Sequence, residues 1–177
     1  MSPEGPPAQP AATPAYRVRV VKDNLVFCAG HFITYSDRCE SLHGHNYRAA
    51  VTLEGPLDES EYVFDFVILK RMTKAICDRL DHRMLLPSDN PMLDIQSDES
   101  GFTVRFQHKT YVFPREDVVQ LPIPNTTAEH LAAWIGDQLV DALAAEGASH
   151  LTALEVEIEE TVGQSAFCRR ELSRPGS

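Results

Sequence analysis

The chain has 177 residues, of which 43% are hydrophobic and 24% are charged, a composition typical of one folded domain and not of a disordered chain. Its formal net charge of −10 disfavours a surface that binds nucleic-acid phosphates, because such surfaces cluster Lys and Arg. The first 15 residues lack the basic and apolar regions of a secretory signal, and no segment approaches the ~18 apolar residues of a membrane span, so we expect a cytoplasmic protein without a membrane partner.

Three parts are predicted along the chain. Residues 1–15 form a Pro/Ala-rich tail expected to be disordered, residues 16–171 form a single domain, and residues 172–177 form a C-terminal tail. The four cysteines contain no C-x-x-C pair, so we expect reduced thiols.

The first predicted elements are two strands. From Tyr16 to Phe27, charged residues alternate with β-branched ones, the period-2 pattern of a half-buried strand. A second strand is predicted from His45 to Leu53, before the turn residues Gly55 and Pro56. These strands could pair as an antiparallel hairpin.

Two helices are predicted next. After Asp65, residues at positions 66, 69, 73, 76 and 80 have helical spacing and predict one packed face, with an end near Leu80 to His82. The second helix is predicted to start at Thr126, where Thr-Thr-Ala-Glu has the form of a capping box, and to end at Gly147.

An insertion and two more strands complete the predicted order. Residues 88–124, between the helices, are too many for an ordinary connection and contain a strand pair, FTVRF and TYVF, so we interpret about 88–120 as an inserted hairpin. Alternation predicts a third main strand in residues 151–160 and a fourth in 165–170. The order predicts an α+β fold in which an antiparallel four-stranded sheet carries two helices on one face. Its two open edges favour association into a ring or barrel, and hence a homo-oligomer.

Three histidines form the candidate metal site. His43 and His45 are two residues apart on a predicted strand, so their side chains point to the same face. His31 is expected just past the end of the first strand, where hairpin pairing would bring it beside them. Three imidazoles without a thiolate or carboxylate are a ligand set that catalytic Zn²⁺ uses, with a fourth position open.

Other reactive residues lie near this motif or at element ends. Cys39 stands four residues before His43, a spacing that could place its thiol beside the metal as a base. The other cysteines are interpreted as small buried thiols: Cys28, Cys77 and Cys168. Asp81 and His82 form a candidate acid/base pair, because a carboxylate can fix the tautomer of a neighbouring histidine.

In order along residues 16–171, several short strings together resemble one family closely. They are F-C-A-G-H (27–31), C-E-S-L-H-G-H (39–45), D-F-V-I-L-K (65–70), L-D-H (80–82), T-A-E (127–129) and E-T (160–161). The chain resembles the 6-pyruvoyltetrahydropterin synthase and 6-carboxytetrahydropterin synthase family. The resemblance implies a tunnelling fold (T-fold) whose subunits form trimers and hexamers, acting on 7,8-dihydroneopterin triphosphate.

The resemblance also implies a role for each site residue. The zinc ligands are His31, His43 and His45, and the catalytic base is Cys39. Asp81 and His82 are the proton relay, contributed in this family by a neighbouring subunit. Glu160 anchors the pterin, and Thr127 flanks its ring.

The residues around Cys39 indicate the family branch. The spacing of three residues between Cys39 and His43 resembles that of the 6-carboxytetrahydropterin synthase branch of queuosine biosynthesis. The spacing in 6-pyruvoyl-forming enzymes is longer. Glu40 resembles a subgroup with a glutamate-dependent activity that makes 6-hydroxymethyldihydropterin for folate synthesis, although it is equally compatible with a solvated loop acid. A catalytically silent zinc- or pterin-binding protein of the same fold is the non-enzyme alternative. The inserted hairpin could lie over the site or at an interface.

Overall fold

The structure, a computed structural model, describes residues 16–172. The helices are α1 (Phe66–Leu80) and α2 (Ala128–Ala145). The strands are β1 (Tyr16–His31), β2 (Thr34–Tyr35), β3 (Arg38–Cys39), β4 (His43–Gly55), β5 (Arg83–Pro87), β6 (Asp94–Asp98), β7 (Gly101–Phe106), β8 (Lys109–Pro114), β9 (Val118–Leu121), β10 (Ala153–Thr161) and β11 (Gln164–Glu171). The predicted tails 1–15 and most of 172–177 lie outside the described residues. Leu172, the last described residue, packs against the core. Among residues 16–172, no helix is long and apolar enough to cross a membrane.

The main sheet has six strands in the order β11-β10-β4-β1-β5-β9. The four long strands are antiparallel neighbours, as predicted, whereas β5 and β9 extend the sheet through parallel pairing. The prediction of four strands was therefore too low by two. Both additions are short and lack the alternation that reveals a half-buried strand.

Strand β1 is longer than predicted and reaches His31. Its inward side chains include Leu25, Phe27 and Ala29, all buried against the helices. The register with β4 shifts between Val21 and Val26, where the polar residues of the strand form an irregularity. The expectation that His31 lies past the strand end was wrong, because the small residues before it continue the pairing to the last position.

Both helices cover one face of the sheet, since their buried residues join the sheet's inward residues in one apolar cluster. The Asp65 carboxylate caps α1 by accepting from the N–H groups of Val67 and Ile68. Four of the five predicted α1 positions are buried, but Phe66 is 51% exposed. Helical side chains lean toward the N-terminus, so the first residue points past the helix and not onto the sheet.

The cap of α2 is one residue later than predicted. Thr127, not Thr126, is the N-cap, and its hydroxyl accepts from the N–H of His130. The Thr126 side chain is fully buried and donates instead to the carbonyl of Phe32. The predicted apolar stripe of α2 is buried, with Leu131, Ile135 and others facing the sheet.

The insertion is a small sheet of its own. The predicted hairpin is present as β7 and β8, and β6 adds a third antiparallel strand that the sequence did not indicate. The insertion packs through a second apolar cluster formed by Phe32, Met84, Leu86, Phe102 and Val104. This cluster fixes the small sheet against the residues that follow β1.

Candidate active site

Strand register brings the three predicted metal ligands together. His31 on β1 is directly opposite His43 on β4, and Ala29 is opposite His45. Directly opposed residues share a face of the sheet and lie about 5 Å apart at Cβ. The side-chain donor atoms of the three histidines all lie within 4.8 Å of one another.

Hydrogen bonds orient two of these imidazoles for metal binding. The Nδ1 of His31 lies 3.0 Å from the carbonyl of Thr126, and the Nδ1 of His43 lies 2.7 Å from the carbonyl of Ser41. An Nδ1–H that donates to a carbonyl leaves Nε2 as the ligand atom. The two Nε2 atoms are 3.2 Å apart, close to the ~3.3 Å that tetrahedral Zn–N bonds require. The donor set therefore fits a zinc ion.

The three histidines differ in solvent exposure. His31 is fully buried, His45 is partly exposed and His43 is exposed, so the cluster opens toward solvent on one side. Burial lowers the pKa of His31, which keeps it in the neutral form that a metal needs. This arrangement can hold a metal with an accessible coordination position.

Glu160 lies against this cluster from β10. Its Oε1 is 3.5 Å from the Nε2 of His45 and 3.6 Å from that of His31, and its side chain is 25% exposed. Tyr47 donates to the same oxygen at 3.3 Å. Burial raises the pKa of Tyr47, so the hydroxyl stays protonated and available as a donor.

A cavity of about 270 Å³ adjoins Glu160. It is lined by Ile33, Thr127, Ala128, Glu129, Glu160, Gln164, Ser165 and Ala166. Its size is at the lower end of small-molecule pockets, about 300 Å³, which suits a small planar ring. Both predicted substrate-binding residues on the main sheet and α2, Glu160 and Thr127, therefore face one space beside the histidines.

A larger cavity of about 610 Å³ lies elsewhere, between α2 and the end of β11. Its lining is mainly apolar, with Asp137, Arg170 and Glu171 at its polar side and without His or Cys. Volume alone would select this cavity, whereas the smaller one is lined by Glu160, whose carboxylate lies against His31 and His45. We place the candidate active site at the smaller cavity on chemical grounds.

The loop that carries Cys39 and Glu40 lies at the exposed side of the histidine cluster. The Oε2 of Glu40 is 3.9 Å from the Nε2 of His43, and the Sγ of Cys39 donates to the Glu40 carbonyl at 3.4 Å. Burial raises the pKa of the Cys39 thiol, the Lys109 ammonium opposes this rise, and the Glu40 carboxylate adds to it. Of this pair, Glu40 is the residue in contact with a candidate metal ligand.

The Asp81–His82 pair forms as predicted but stands apart from the histidine cluster. Asp81 Oδ2 is 3.0 Å from His82 Nδ1, and Asp81 Oδ1 accepts from the N–H of Cys28 at 2.7 Å. That backbone bond, followed by the one to His82, holds the pKa of Asp81 below its usual range. The backbone of His82 has a φ of 55°, and its side chain is 81% exposed. Within residues 16–172 no hydrogen bond or ion pair joins this pair to the three histidines.

The remaining cysteines differ from one another. Cys77 is buried and Cys168 is half-buried, but Cys28 is exposed, so its prediction as a buried thiol was wrong. In β1 beyond its irregularity, from Leu25 to His31, the buried positions are the odd ones, and the even-numbered Cys28 points to the opposite face of the sheet.

Two side chains near the site were missed in the sequence. Tyr47 is two residues beyond His45 on the same strand, so period-2 reasoning could have placed it on the ligand face. Lys109, whose ammonium donates to the carbonyl of Cys39 at 2.7 Å, comes from the inserted sheet, and no local pattern indicates that long-range contact.

Comparison with known proteins agrees with these features. A family model described as 6-pyruvoyl tetrahydropterin synthase matches residues 20–171. A Methanocaldococcus jannaschii protein named putative 6-carboxy-5,6,7,8-tetrahydropterin synthase is 36% identical over 149 residues, covering 84% of this chain and 91% of that protein. The solved 6-pyruvoyltetrahydropterin synthase of Plasmodium vivax superposes with a TM-score of 0.86 at 30% identity, covering 90% of this chain and 99% of that one. This match confirms the predicted tunnelling fold.

A third relative has a different name. The dihydroneopterin monophosphate aldolase of Pyrococcus furiosus is 38% identical over 66 residues, which cover 37% of this chain and 56% of that protein. In addition, one solved form of the Plasmodium vivax enzyme is described as a catalytic-residue mutant in which a glutamate is replaced by alanine.

Proposed function

The chain belongs to the 6-pyruvoyl tetrahydropterin synthase family, a family of pterin-processing enzymes, and from this premise we propose which reaction it catalyses. The proposed reaction converts 7,8-dihydroneopterin triphosphate to 6-carboxy-5,6,7,8-tetrahydropterin, with release of acetaldehyde and triphosphate, in the queuosine pathway. The observation that carries the proposal is the convergence of three histidines, with Glu160 and its cavity on one side and the loop that bears Cys39 and Glu40 on the other. The named relatives support the product, because several carry that enzyme's name.

We propose Zn²⁺ as the resident metal. His31 and His43 have their Nδ1 atoms on backbone carbonyls, and the donor set contains neither a thiolate nor a carboxylate. This is the chemistry of a catalytic zinc site with an open position. When bound, the ion supplies Lewis-acid polarisation of a substrate oxygen.

The chain's own residues supply binding and proton transfer in this proposal. Glu160 accepts hydrogen bonds from the guanidine-like edge of the pterin, a contact that favours an ionised carboxylate in a half-buried site. Thr127 closes the adjacent side of the cavity. Cys39 removes a proton from the substrate side chain, and the Lys109 ammonium favours its thiolate against the effect of burial.

Asp81 and His82 act as the proton relay in this account. Asp81 holds the Nδ1 side of the imidazole, which leaves Nε2 for proton exchange. Because His82 is exposed and apart from the histidines of its own chain, we propose that it completes the site of a second copy in a homo-oligomer. Sedimentation that shows only monomer at concentrations of about 10 μM would contradict this arrangement.

Glu40 supports a second candidate function. Its carboxylate is the loop acid in contact with His43, and one relative is named an aldolase. A described catalytic glutamate in the Plasmodium vivax enzyme gives a further reason to test this residue. We therefore propose a Glu40-dependent formation of 6-hydroxymethyldihydropterin alongside the main reaction. The 6-pyruvoyl product is less favoured, because the enzymes that form it resemble one another in a longer spacing between the cysteine and the H-G-H motif than this chain has.

Product identification tests the proposed function. Zinc-loaded protein is incubated anaerobically with 7,8-dihydroneopterin triphosphate, and the pterins are identified by mass spectrometry. We expect 6-carboxytetrahydropterin and acetaldehyde as main products. Pyruvoyltetrahydropterin as the main product would reject the proposed branch, and no turnover by fully zinc-loaded protein would favour the silent binding protein.

Two variants distinguish the proposed roles of Cys39 and Glu40 as bases. Cys39→Ala should abolish the carboxy product while zinc content stays unchanged, and Glu40→Gln should abolish only the hydroxymethyl product. Cys168→Ala is the matched thiol control and should behave as the wild type, because Cys168 lies half-buried on the edge strand β11. Full carboxy-product formation by Cys39→Ala would remove Cys39 as the base.

A further inference from the structure

The inserted sheet is held firmly beside the candidate site. Tyr111 on β8 stacks on Phe32, the residue after His31, with ring centroids 5.1 Å apart and planes 19° apart. Phe102 and Val104 of β7 complete the buried cluster beneath them. Packed apolar clusters of this kind deform little, so the insertion can position whatever its tip contacts.

The tip of the β7–β8 hairpin contacts the backbone of the Cys39 loop at consecutive points. The Lys109 ammonium donates to the Cys39 carbonyl at 2.7 Å and to the Glu40 carbonyl at 3.4 Å. The side-chain amide of Gln107 donates to the carbonyl of Asp37 at 3.1 Å. Three carbonyls of one short loop are therefore held by one hairpin turn.

The orientation of this backbone decides which side chain reaches the histidines. Neighbouring residues in an extended segment point to opposite sides, and Cys39 is the last residue of β3. Glu40 points toward His43, at 3.9 Å, whereas Cys39 packs against the apolar cluster of the insertion. The peptide that joins Cys39 to Glu40 is held at both of its polar groups, because Lys109 bonds its carbonyl and its N–H donates to the carbonyl of Ile33 at 2.9 Å. Loss of the Lys109 contact would leave one of these two bonds and would let the segment rearrange so that Cys39 turns toward the histidines.

We propose that Lys109 is a positioning residue that holds the Cys39–Glu40 segment with Glu40 toward the histidines and thereby sets the proportion of the two pterin products. This inference rests on the proposed function, because it concerns how one site uses two bases. The insertion is then a specificity element that acts through the loop backbone.

The first test measures the product ratio in three variants. Lys109→Met keeps the aliphatic stem but removes the donor and the charge. The ratio is measured at alkaline pH, where loss of the ammonium no longer changes the fraction of Cys39 thiolate, and the ratio of hydroxymethyl to carboxy product should fall by about fivefold, the effect of losing roughly 1 kcal/mol of hydrogen bonding. Lys109→Arg keeps the donor and the charge and should restore most of the ratio. Arg105→Ala is the matched control, because Arg105 is a cation of the same hairpin that pairs with Asp94 inside the insertion. A ratio in Lys109→Met equal to that of the wild type would overturn the proposal, as would an equal change in Arg105→Ala.

A second readout needs no substrate and separates this inference from the proposed function. The rate of Cys39 alkylation by iodoacetamide is followed by peptide mass spectrometry at alkaline pH, on the plateau where thiol ionisation no longer limits the rate. Lys109→Met should raise the plateau rate by about fivefold, since the loop is released from one ammonium contact, and Lys109→Arg and Arg105→Ala should not. An unchanged rate in Lys109→Met would overturn the role of Lys109 even if the enzyme is active. Absence of turnover in the wild type would instead overturn the proposed function and leave this rate comparison decisive for Lys109.

Discussion

Gly44, between two of the histidines that we propose as metal ligands, gives the sharpest single-site prediction. A Cβ built on Gly44 would lie 2.9 Å from the carbonyl oxygen of Ala29, where ordinary contacts begin at 3.4 Å. The strands would have to separate by about 0.5 Å, because the clashing atom is backbone. Zinc ligands tolerate displacements of only about 0.2 Å. Gly44→Ala should therefore displace His43 and His45 from ligand geometry while leaving most of the sheet paired.

The expected effect is a loss of zinc affinity by about 10-fold to 100-fold, comparable to disturbing the groups that orient metal ligands. Competition with a fluorescent zinc chelator measures the affinity, and circular dichroism checks that the fold is kept. Gly30→Ala is the matched control, since Gly30 is paired directly with Gly44 on the neighbouring strand. Its added Cβ would meet the flexible Met84 Sδ at 3.3 Å, which can move. Wild-type zinc affinity in Gly44→Ala, or an equal loss in Gly30→Ala, would refute the reasoning.

Three further variants test other contacts. Tyr47→Phe removes the donor to Glu160 and should raise KM for the pterin by about fivefold to tenfold at constant zinc content, and unchanged steady-state kinetics would contradict that role. Hydrogen bonds from Arg169 hold the pKa of Glu54 low, so this stabilisation is present above the ordinary glutamate pKa and lost as pH falls through the lowered value. Glu54→Gln should lower the urea midpoint most near about pH 7 and progressively less toward about pH 4, and a gap that widens in acid would reverse this sign. Leu131→Ala should reduce the free energy of unfolding by about 2–5 kcal/mol, because Leu131 is fully buried, and a loss within error of zero would contradict its place in the core.

The parts of the fold that the sequence predicted are those with a strong periodic signal. The long strands alternate, and α1 and α2 repeat apolar residues at helical spacing, so their order and pairing could be inferred before the structure. The last residues of β1 include the small residues Ala29 and Gly30, and their hydrophobic pattern does not predict a strand. Short buried strands such as Arg83–Pro87 lack alternation altogether, which is why the sheet was predicted with too few strands.

In the candidate site too, the sequence predicted the features that follow from strand periodicity and missed those that depend on long-range contacts. The convergence of His43 and His45 follows from the two-residue period of a strand, and the addition of His31 follows from hairpin pairing. The contact between Lys109 and the Cys39 loop joins residues 70 positions apart, and no local pattern encodes it. Whether Cys39 or Glu40 faces the histidines depends on the backbone conformation of their loop, which residue spacing alone does not determine.

The zinc K-edge absorption spectrum of the purified wild-type protein shows directly whether three histidines hold a zinc ion. We expect about one zinc per chain, bound by three imidazole nitrogens at about 2.0–2.1 Å and one further light atom, with no coordinated sulfur. Replacing His31 by Ala should remove the signal, since that residue is the fully buried member of the cluster. A sulfur scatterer at about 2.3 Å would make Cys39 a ligand and not a base, and a protein that binds no zinc would contradict the account at its centre.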